Sequence, residues 1–194
     1  MEIKERQLDI IEAAGTLLTR SGVGGLTIKN LAAEMDFSES ALYRHFTSKE
    51  EIIISMLQYL ASDMDARLSS VTEKASDPKT MFRSIFKSQF QFFSRNPHYV
   101  VAVFSDGLMD ASSRINEKTM QLMEIKGKHL LPIILQGQKM GIFTIELSAG
   151  ELLHISVGSF RLQMFKWKAG NFEFNIEKRG GEIIEALLKL IVKN

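Results

Sequence analysis

The chain has 194 residues, of which 45% are hydrophobic and 24% charged, and this is the composition of an ordinary globular protein. It contains no cysteine, which excludes disulfide scaffolds, thiol catalysis and zinc–cysteine sites and suits a reducing cytosol. The formal net charge is +1, so the chain as a whole has no large excess of positive charge that would attract nucleic acid.

The first predicted helix is amphipathic and lies near the N-terminus. The chain begins with charged residues rather than a signal peptide, and its apolar runs are too short to span a bilayer. We therefore expect a cytoplasmic protein with no membrane partner. The apolar face of this helix is formed by Leu8, Ile11, Ala14 and Leu18.

Residues 27–49 have the pattern of two short helices joined by a tight polar turn. Thr27 and Ser38 stand at the two N-cap positions, where a hydroxyl accepts an otherwise unpaired backbone N–H. Asp36 lies in the turn, and Asp is one of the few non-glycine residues that tolerate a left-handed backbone. Ser48 and Glu51 form a capping-box pattern that opens a further helix. This spacing predicts a helix-turn-helix, which makes DNA the first partner to consider.

The run LTIKNLAAEMDFSESALYRHFTSKEEI resembles the N-terminal DNA-binding domain of the TetR family of bacterial transcriptional regulators. The resemblance includes the Leu-Tyr-x-His-Phe core and the Ser-Lys-Glu that follows it, and it is sharp over about residues 8–54. Asp36 departs from the family, which commonly has glycine there. The resemblance implies an all-α fold, with a helix-turn-helix domain at residues 1–48 and a larger helical domain for ligand binding and dimerisation at residues 49–194.

By the same resemblance, the helix from Glu39 to Phe46 enters the major groove of DNA. There Glu39 can accept from a cytosine amino group, and Arg44 can pair with guanine. Ser40 also faces a base edge, His45 lies on the flanking backbone, and phosphate contacts are expected of Thr27, Lys29, Tyr43 and Lys49, unless Tyr43 and His45 are only surface or packing residues. The predicted DNA-contacting residues are Thr27, Lys29, Ser38, Glu39, Ser40, Tyr43, Arg44, His45 and Lys49.

The charge of the N-terminal region argues weakly against DNA binding. Residues 1–50 carry six Lys and Arg and eight Asp and Glu, which gives a net charge of −2. A local cluster of basic residues remains, formed by Lys29, Arg44 and Lys49 with His45. These residues lie at the helix ends that face DNA in a helix-turn-helix. We therefore expect specific binding whose affinity depends only modestly on salt concentration.

Six further helices are predicted after residue 48, which gives nine in all with three in the first domain. Asn96 and Pro97 separate two of them, and Ser148 with Glu151 is a second capping box. Pro132 lies inside a predicted helix and should bend or break it there. The predicted ranges are about 49–70, 78–95, 97–109, 113–140, 149–168 and 175–193.

The last two predicted helices carry more apolar surface than one buried face requires. Small residues at Gly158, Gly180 and Gly181 permit close approach of helices. A two-fold four-helix interface explains the excess, and the family resemblance implies the same homodimer. An ordinary buried core is the alternative. The predicted dimerisation residues are Leu152, Ser156, Ser159, Ile184, Leu187, Leu188 and Ile191.

Thirteen Phe and ten Met are many for this length, and those on the middle helices can line an apolar cavity for a small hydrophobic effector. The same spacing is typical of a plain core, which is the alternative for each residue. The polar groups that can orient a ligand, unless they are satisfied locally, are Arg83, His129, His154 and Arg161. The predicted ligand-binding residues are Phe82, Phe86, Phe90, Phe104, Met120, Met123, Phe160 and Met164.

The sequence offers little chemistry for an enzyme. Glu151-x-x-His154 is half of a di-iron carboxylate motif, and the second Glu-x-x-His pair that this motif needs does not occur. The four histidines lack metal-ligand spacing, and the sequence has no P-loop, GxGxxG or nucleophile elbow. We predict no enzymatic activity, no metal and no cofactor.

The predicted function is that of a sequence-specific transcriptional regulator, a repressor that a small hydrophobic effector releases from a palindromic operator. The alternative is a ligand-independent DNA-binding or architectural protein of the same fold.

Overall fold

The computed structural model describes residues 5–73, 77–104, 108 and 112–193. These residues contain nine α-helices and no β-strand, which confirms the predicted all-α fold. The predicted end of one helix, at Met109, lies outside the described residues. Within the described ranges, no helix is both long enough and apolar enough to cross a membrane. The helices are α1 Glu5–Gly25, α2 Ile28–Glu34, α3 Glu39–Tyr43, α4 Lys49–Glu73, α5 Pro78–Arg95, α6 Pro97–Val103, α7 Ser113–Lys139, α8 Ala149–Ala169 and α9 Ile176–Ile191.

Side-chain caps open several helices at the positions that the sequence indicates. The hydroxyls of Thr27 and Ser38 accept from the backbone N–H three residues later, at 3.1 and 3.2 Å. Ser148 and Glu151 form the reciprocal capping box before α8. Because each cap satisfies a backbone group that the helix leaves unpaired, it stabilises the helix by about 1 kcal/mol.

The start of α4 departs from a regular capping box. Ser48 Oγ accepts from the Glu51 N–H at 3.2 Å, as predicted. The Glu51 carboxylate, however, accepts from the hydroxyl and the backbone N–H of Thr47, the hydroxyl at 2.7 Å. These hydrogen bonds lower the pKa of Glu51 below its ordinary value. In a regular capping box the Glu51 carboxylate would accept from the N–H of Ser48, so this contact is displaced by one residue, to Thr47. Helix α4 still begins at Lys49.

Pro132 does not break α7, which runs without interruption from Ser113 to Lys139. Of the two predicted outcomes, a bend or a break, the break is wrong. Pro132 and Lys128, one turn earlier, are both exposed. Water can therefore satisfy the Lys128 carbonyl that proline leaves without an N–H partner.

The chain divides into two compact units. The first comprises the described parts of residues 1–62 and 96–121, and the second those of residues 63–95 and 122–194. Helices α4 and α7 therefore contribute residues to both units. The functional boundary that the sequence places between residues 48 and 49 stays a prediction.

In the first unit, α1 packs against α2 and α6. The approach to α6 is close at Gly15, where an added Cβ would lie 2.7 Å from the His98 ring. Burial lowers the pKa of His98 to about 4, so this ring is neutral at physiological pH. The Glu50 carboxylate of α4 accepts from the Ser112 hydroxyl and pairs with Arg114 at 3.3 Å, which ties the start of α4 to the start of α7.

Phenylalanine rings form the core of the second unit. Four of the five in α5 recur at helical spacing on one face and are buried. Phe160 of α8 meets three of these rings, at centroid distances of 5.2, 6.0 and 6.1 Å. Such tilted ring pairs stabilise by about 0.5–1.5 kcal/mol each beyond their burial, so they hold α5 and α8 together. The aromatic cluster, as named below, comprises Phe82, Phe86, Phe90, Phe93 and Phe160.

The last helix, α9, packs closely against α5 at Gly180. An added Cβ there would lie 2.4 Å from the ring of Phe90. The close approach expected at a small residue is therefore present at Gly180. At Gly158 and Gly181, by contrast, an added Cβ would meet no described atom within 4 Å.

We expect Gly180→Ala to lower the free energy of unfolding by about 1–3 kcal/mol, because the new methyl group must displace the buried Phe90 ring. Gly181→Ala is the matched control, since its Cβ meets open space and alanine gains up to about 1 kcal/mol over glycine inside a helix. Urea unfolding followed by circular dichroism at one protomer concentration measures both changes. Equal stability of the two variants would contradict the close packing at Gly180.

Candidate functional site

A tight turn sets the angle between α2 and α3. Asp36 adopts a φ of 54°, the left-handed conformation that its residue type permits. The N–H of Phe37 donates to the carbonyl of Ala32 at 2.8 Å, and the N–H of Asp36 donates to that of Ala33 at 3.4 Å. These two bonds form a Schellman motif, in which the residues that leave a helix satisfy its last carbonyls. The backbone itself therefore fixes the direction in which α3 starts.

Two buried side chains hold α3 in place. Leu42 is fully buried, and Phe46, just after the helix, is 2% exposed. Their burial stabilises the first unit by about 3–6 kcal/mol, far more than a single short helix gains from its own hydrogen bonds. The opposite face is open to solvent, and Tyr43 shows 52% of its surface. The exposed residues of this segment are Ser38, Glu39, Ser40, Tyr43 and Arg44, followed by the half-buried His45.

The remaining predicted DNA contacts flank α3. Thr27 and Lys29 are exposed at the start of α2. The Lys49 ammonium donates to the Val23 carbonyl at 2.7 Å, and burial lowers the pKa of Lys49. Val23 lies in the last turn of α1, where carbonyls have no partner within the helix. All nine predicted contacts thus lie in the first unit, and their assignment to DNA stays a prediction.

Ion pairs use up part of the basic charge of the first unit. Arg6 and Arg20 pair with acidic side chains at 3.1 and 2.7 Å. The side chains of Lys29 and Arg44 are exposed and form no hydrogen bond or ion pair within the described residues. These two cations are therefore available to an anionic partner such as a phosphate or a base edge.

Five of the predicted ligand-binding residues lie in the interior of the second unit. Their phenylalanine rings are packed directly against one another in the aromatic cluster, so a ligand there would have to displace them. This packing agrees with the plain-core alternative. The five buried residues are Phe82, Phe86, Phe90, Phe160 and Met164.

Two other predicted ligand-binding residues belong to the first unit. Met120 is 55% exposed, because the buried face of α7 is set by Ile115, Thr119 and Leu122. Its prediction as a cavity residue is therefore wrong. Phe104 is buried, and it lies at the end of α6. The eight predicted residues are thus divided between the two units.

A groove of about 460 Å³ lies between α7 and α8 in the second unit. Its volume is within the range of small-molecule sites, about 300–1,000 Å³. Sequence reasoning identified Met123, His154 and Arg161 of this α7–α8 groove. It missed the other five, of which three are glycines, and glycine leaves no side-chain pattern. The lining residues are Met123, Gly127, Gly150, Leu153, His154, Val157, Gly158 and Arg161.

A smaller groove of about 310 Å³ lies between α5 and α9. There the Arg83 guanidinium pairs with the Glu185 carboxylate through two hydrogen bonds, one of them at 3.0 Å. This pairing raises the pKa of Arg83 and lowers that of Glu185. His129 is also satisfied locally, since its Nε2 lies 2.7 Å from Asp65 Oδ1. Among the described residues, no three metal-ligating side chains come together.

Gln89 is a polar residue on the buried face of α5. It is 1% exposed, and neither its amide oxygen nor its amide nitrogen has a hydrogen-bond partner within the described residues. It lies one helical turn from both Phe86 and Phe93 of the aromatic cluster. Sequence reasoning missed this residue, although a glutamine at a helical spacing shared with phenylalanines was a visible signal.

Lys126 is a second polar residue in an inward position, between the buried Leu122 and Leu130 of α7. Its Nζ lies 4.0 Å from the centre of the Phe160 ring. Burial, with a smaller contribution from Arg161 and Arg67, lowers the pKa of Lys126 to about 7. This residue was also missed, although its spacing from two leucines matches that of a core position.

Six of the seven predicted dimerisation residues are buried within the protomer, so their prediction as an intersubunit surface is wrong. Helix α8 is apolar around much of its circumference, and spacing alone does not show which side faces inward. The six are Leu152, Ser156, Ile184, Leu187, Leu188 and Ile191, and Ser159 is half-buried. The exposed apolar residues of α8 and α9, named here the α8–α9 apolar surface, are Ile155, Leu162, Phe165, Ile183 and Leu190.

Residues 10–56 match the family model of the bacterial regulatory proteins of the tetR family. Over 129 residues the chain is 26% identical to the nucleoid occlusion factor SlmA of Shewanella pealeana, and the match covers 66% of each chain. PfmR from Thermus thermophilus, a TetR family transcriptional regulator, has 23% identity and a TM-score of 0.79, with 93% of this chain and 97% of that one covered. FadR from Bacillus subtilis, solved in complex with stearoyl-CoA, has 17% identity and a TM-score of 0.77, with 95% and 98% covered.

The helix-turn-helix and the helical second unit define the class of DNA-binding transcriptional regulators. Residues 10–56 carry the DNA-binding domain of the tetR family, which confirms the resemblance seen over residues 8–54. Beyond the matched domain the likeness to the solved structures, at 17 and 23% identity, is one of fold. The family and these relatives are described as regulators and as an occlusion factor rather than as enzymes.

We expect Lys126→Met to raise the melting temperature by several degrees at pH 6 and by much less at pH 10. The pKa of Lys126 is about 7 in the folded protein, below its ordinary value of 10.5. The cost of burying the charged ammonium is therefore fully present below pH 7, and it is lost as the pH rises from 7 towards 10.5. Methionine fills a similar space without the charge. Thermal unfolding at the two pH values measures the difference.

Lys128→Met on the same helix is the matched control, because Lys128 is exposed and its ammonium pairs with Asp65 at 3.0 Å. This variant should not be stabilised at either pH, since an exposed ion pair contributes about 0–1 kcal/mol. A gain for Lys126→Met that is the same at pH 6 and pH 10 would show that Lys126 is not a desolvated cation.

Proposed function

We propose that this protein is a homodimeric transcriptional repressor that binds a palindromic operator and is released from it by a small lipophilic effector. The observation that carries the proposal is the exposed polar face of α3, opposite the buried Leu42 and Phe46. A helix presented in this way fits the major groove of B-DNA, which is about 12 Å wide. The TetR family match over residues 10–56 supports the same assignment.

The exposed side chains of α3 have distinct roles in the proposed complex. Arg44 donates to the two acceptors of a guanine, and Glu39 accepts from a cytosine amino group. Tyr43, Thr27 and Lys29 contact phosphates, which sets the register of the protein without reading the sequence. Specificity therefore rests chiefly on Arg44 and Glu39.

The other predicted contacts contribute less. Ser40 faces a base edge, and its hydroxyl lies 3.0 Å from that of Ser38 at the start of α3. His45 lies beside the DNA backbone. Lys49 already donates one N–H to the Val23 carbonyl, so it has two N–H groups left for a phosphate.

The α8–α9 apolar surface supports a two-fold interface. Ile155 and Leu162 of α8 are seven residues apart, as are Ile183 and Leu190 of α9, so each pair forms a stripe along its helix. Exposed apolar stripes on two helices suit a four-helix contact between two copies. In such a dimer two α3 helices would meet half-sites about one helical turn apart, or a multiple of it.

Effector release is proposed from the second unit. The α7–α8 groove has the size of a small-molecule site, and one structural neighbour was solved with stearoyl-CoA. Helix α4 contributes residues to both units, so we propose that a bound effector favours one tilt of α4 and thereby changes the separation of the two α3 helices. A 100-fold loss of operator affinity requires about 2.7 kcal/mol of coupling between the two sites.

A DNA-binding protein without an effector is the second candidate function. The observation that favours it is the 26% identity to relatives that are named nucleoid occlusion factors. Operator affinity measured with and without a bound lipophilic compound separates the two. Equal affinities would favour the second candidate, and a lower affinity of the ligand-bound protein would favour the repressor.

We expect Arg44→Ala to weaken binding to the preferred operator by about 5- to 150-fold and to relax base preference at one position of each half-site, because a bidentate base contact is lost. Lys29→Ala should weaken binding to all sequences alike and reduce the salt slope by about one for each protomer. Mobility shifts at several salt concentrations, on an operator selected from random duplexes, measure both effects.

Lys139→Ala is the control for this experiment, because Lys139 is an exposed lysine of the second unit. It should leave operator affinity and salt dependence unchanged. Wild-type affinity of Arg44→Ala for the selected operator would show that α3 does not read DNA through this residue.

We expect Leu162→Glu combined with Leu190→Glu to convert the dimer into a monomer at micromolar concentration, because carboxylates would be buried in an apolar interface. Size-exclusion chromatography with light scattering measures the mass. Ile145→Glu is the control, since Ile145 is exposed outside the helices. A monomeric wild-type protein, or a double variant that remains dimeric, would contradict the proposed interface.

A further inference from the structure

We infer that the second unit binds an amphiphilic anion, with its acidic head group at Lys126 and Gln89 and its hydrocarbon chain in the α7–α8 groove. The inference deepens the proposed function, because such a compound would be the effector of the regulator. It rests on that function only for the effect of the bound anion on operator affinity, since the binding of the anion is a property of the second unit alone.

The first argument is the unsatisfied amide of Gln89. Burial of an amide without hydrogen-bond partners costs about 1–3 kcal/mol, and an apolar residue at this position would avoid that cost. Gln89 is buried among the rings of α5 with neither amide atom paired in the described residues. A carboxylate can accept from its Nε2, and a protonated acid, a hydroxyl or an amide N–H of an acyl carrier can donate to its Oε1. A polar ligand would therefore complete this residue, and the rings of the aromatic cluster would have to move apart to admit it.

The second argument is the charge around Lys126. Within the described residues its ammonium has no carboxylate at ion-pair distance, and it lies over the face of Phe160 instead. The charged groups that act on its pKa are Arg161 and Arg67, which are also positive. Arg67 is itself paired with Asp63, at 3.0 Å. An anion beside the Lys126 ammonium would supply the carboxylate partner that the described residues lack there.

The third argument is that one ring joins the two polar groups. Phe160 lies about 6 Å from both Phe86 and Phe93, and Gln89 stands one turn from each of these two residues. The Lys126 ammonium is 4.0 Å from the centre of the same Phe160 ring. Gln89 therefore lies on the face of α5 that packs against Phe160, and the Lys126 ammonium of α7 lies over the ring of the same residue.

The groove begins beside Lys126. Met123 and Gly127, one turn before and one residue after Lys126, both line it. On α8, Arg161 follows Phe160 directly and also lines the groove, and its Nη1 lies 3.8 Å from the Met123 sulfur. Apolar residues such as Leu153 and Val157 complete the wall. This arrangement suits a hydrocarbon chain of 460 Å³ or less that ends in an anion.

The test compares palmitate, palmitoyl-CoA and the neutral hexadecanol by isothermal titration calorimetry, all below the concentrations at which they form micelles. We expect the full-length wild-type protein to bind at least one of the two anions, at least tenfold more tightly than hexadecanol. Tight binding of palmitate alone identifies a free carboxylate as the head group, and tight binding of palmitoyl-CoA identifies an acyl carrier. Failure of both anions to bind, or equal affinity for hexadecanol, would overturn the inference.

Variants assign the binding to the two residues. Lys126→Met and Gln89→Leu should each lower the affinity for the preferred anion at least tenfold and leave that for hexadecanol unchanged. Lys128→Met, which removes an exposed lysine of the same helix, should leave both unchanged. Because both core variants replace a polar group by an apolar one, melting temperatures at or above that of the wild type verify that they are folded. Wild-type anion affinity in Lys126→Met would overturn the inference.

A mobility shift with the selected operator separates this inference from the proposed function. If the anion binds through Lys126 but operator affinity does not change, the binding site stands and the effector step of the proposed function fails. If hexadecanol releases the operator equally from the wild type and from Lys126→Met, the proposed function stands and the anionic head group is excluded.

Discussion

The burial of Leu42 and Phe46 is the interaction on which the DNA-binding surface depends. A helix of five residues is not stable in isolation, because the first turn orders several residues for a single hydrogen bond. Here α3 is held by these two side chains, by the Ser38 cap and by the Schellman turn at Asp36. None of the contacts that orient Glu39 and Arg44 requires DNA, so α3 is already formed before the proposed operator binds.

Sequence reasoning succeeded where a structural feature depends on residues a few positions apart. The caps at Thr27 and Ser38 and the left-handed turn at Asp36 follow from the chemistry of one side chain and its neighbouring backbone groups. The same applies to the Ser148 capping box that opens α8. For this reason the helices, the helix-turn-helix and the exposed face of α3 were predictable, and the shared motif identified the family.

It failed where the outcome depends on which other helix covers a surface. The apolar residues of α8 could pack inward on more than one side, and Leu152 and Ser156 proved to be buried while Ile155 and Leu162 are exposed. The position of Met120 on the solvent side of α7 was hidden for the same reason. Gln89 and Lys126 were not singled out, although the helical spacing of their buried neighbours marked both positions as inward.

The separation between anchoring and exposed residues within α3 has an evolutionary consequence. Substitutions at Glu39, Ser40 or Arg44 alter solvent-facing side chains, and surface changes of this kind usually shift stability by less than about 0.5 kcal/mol. A duplicated copy of the gene could thus acquire a new target sequence through a few such replacements without passing through an unfolded intermediate. Leu42, Phe46 and Asp36, by contrast, have little freedom to vary, so diverging descendants should retain the scaffold while their DNA preferences drift apart.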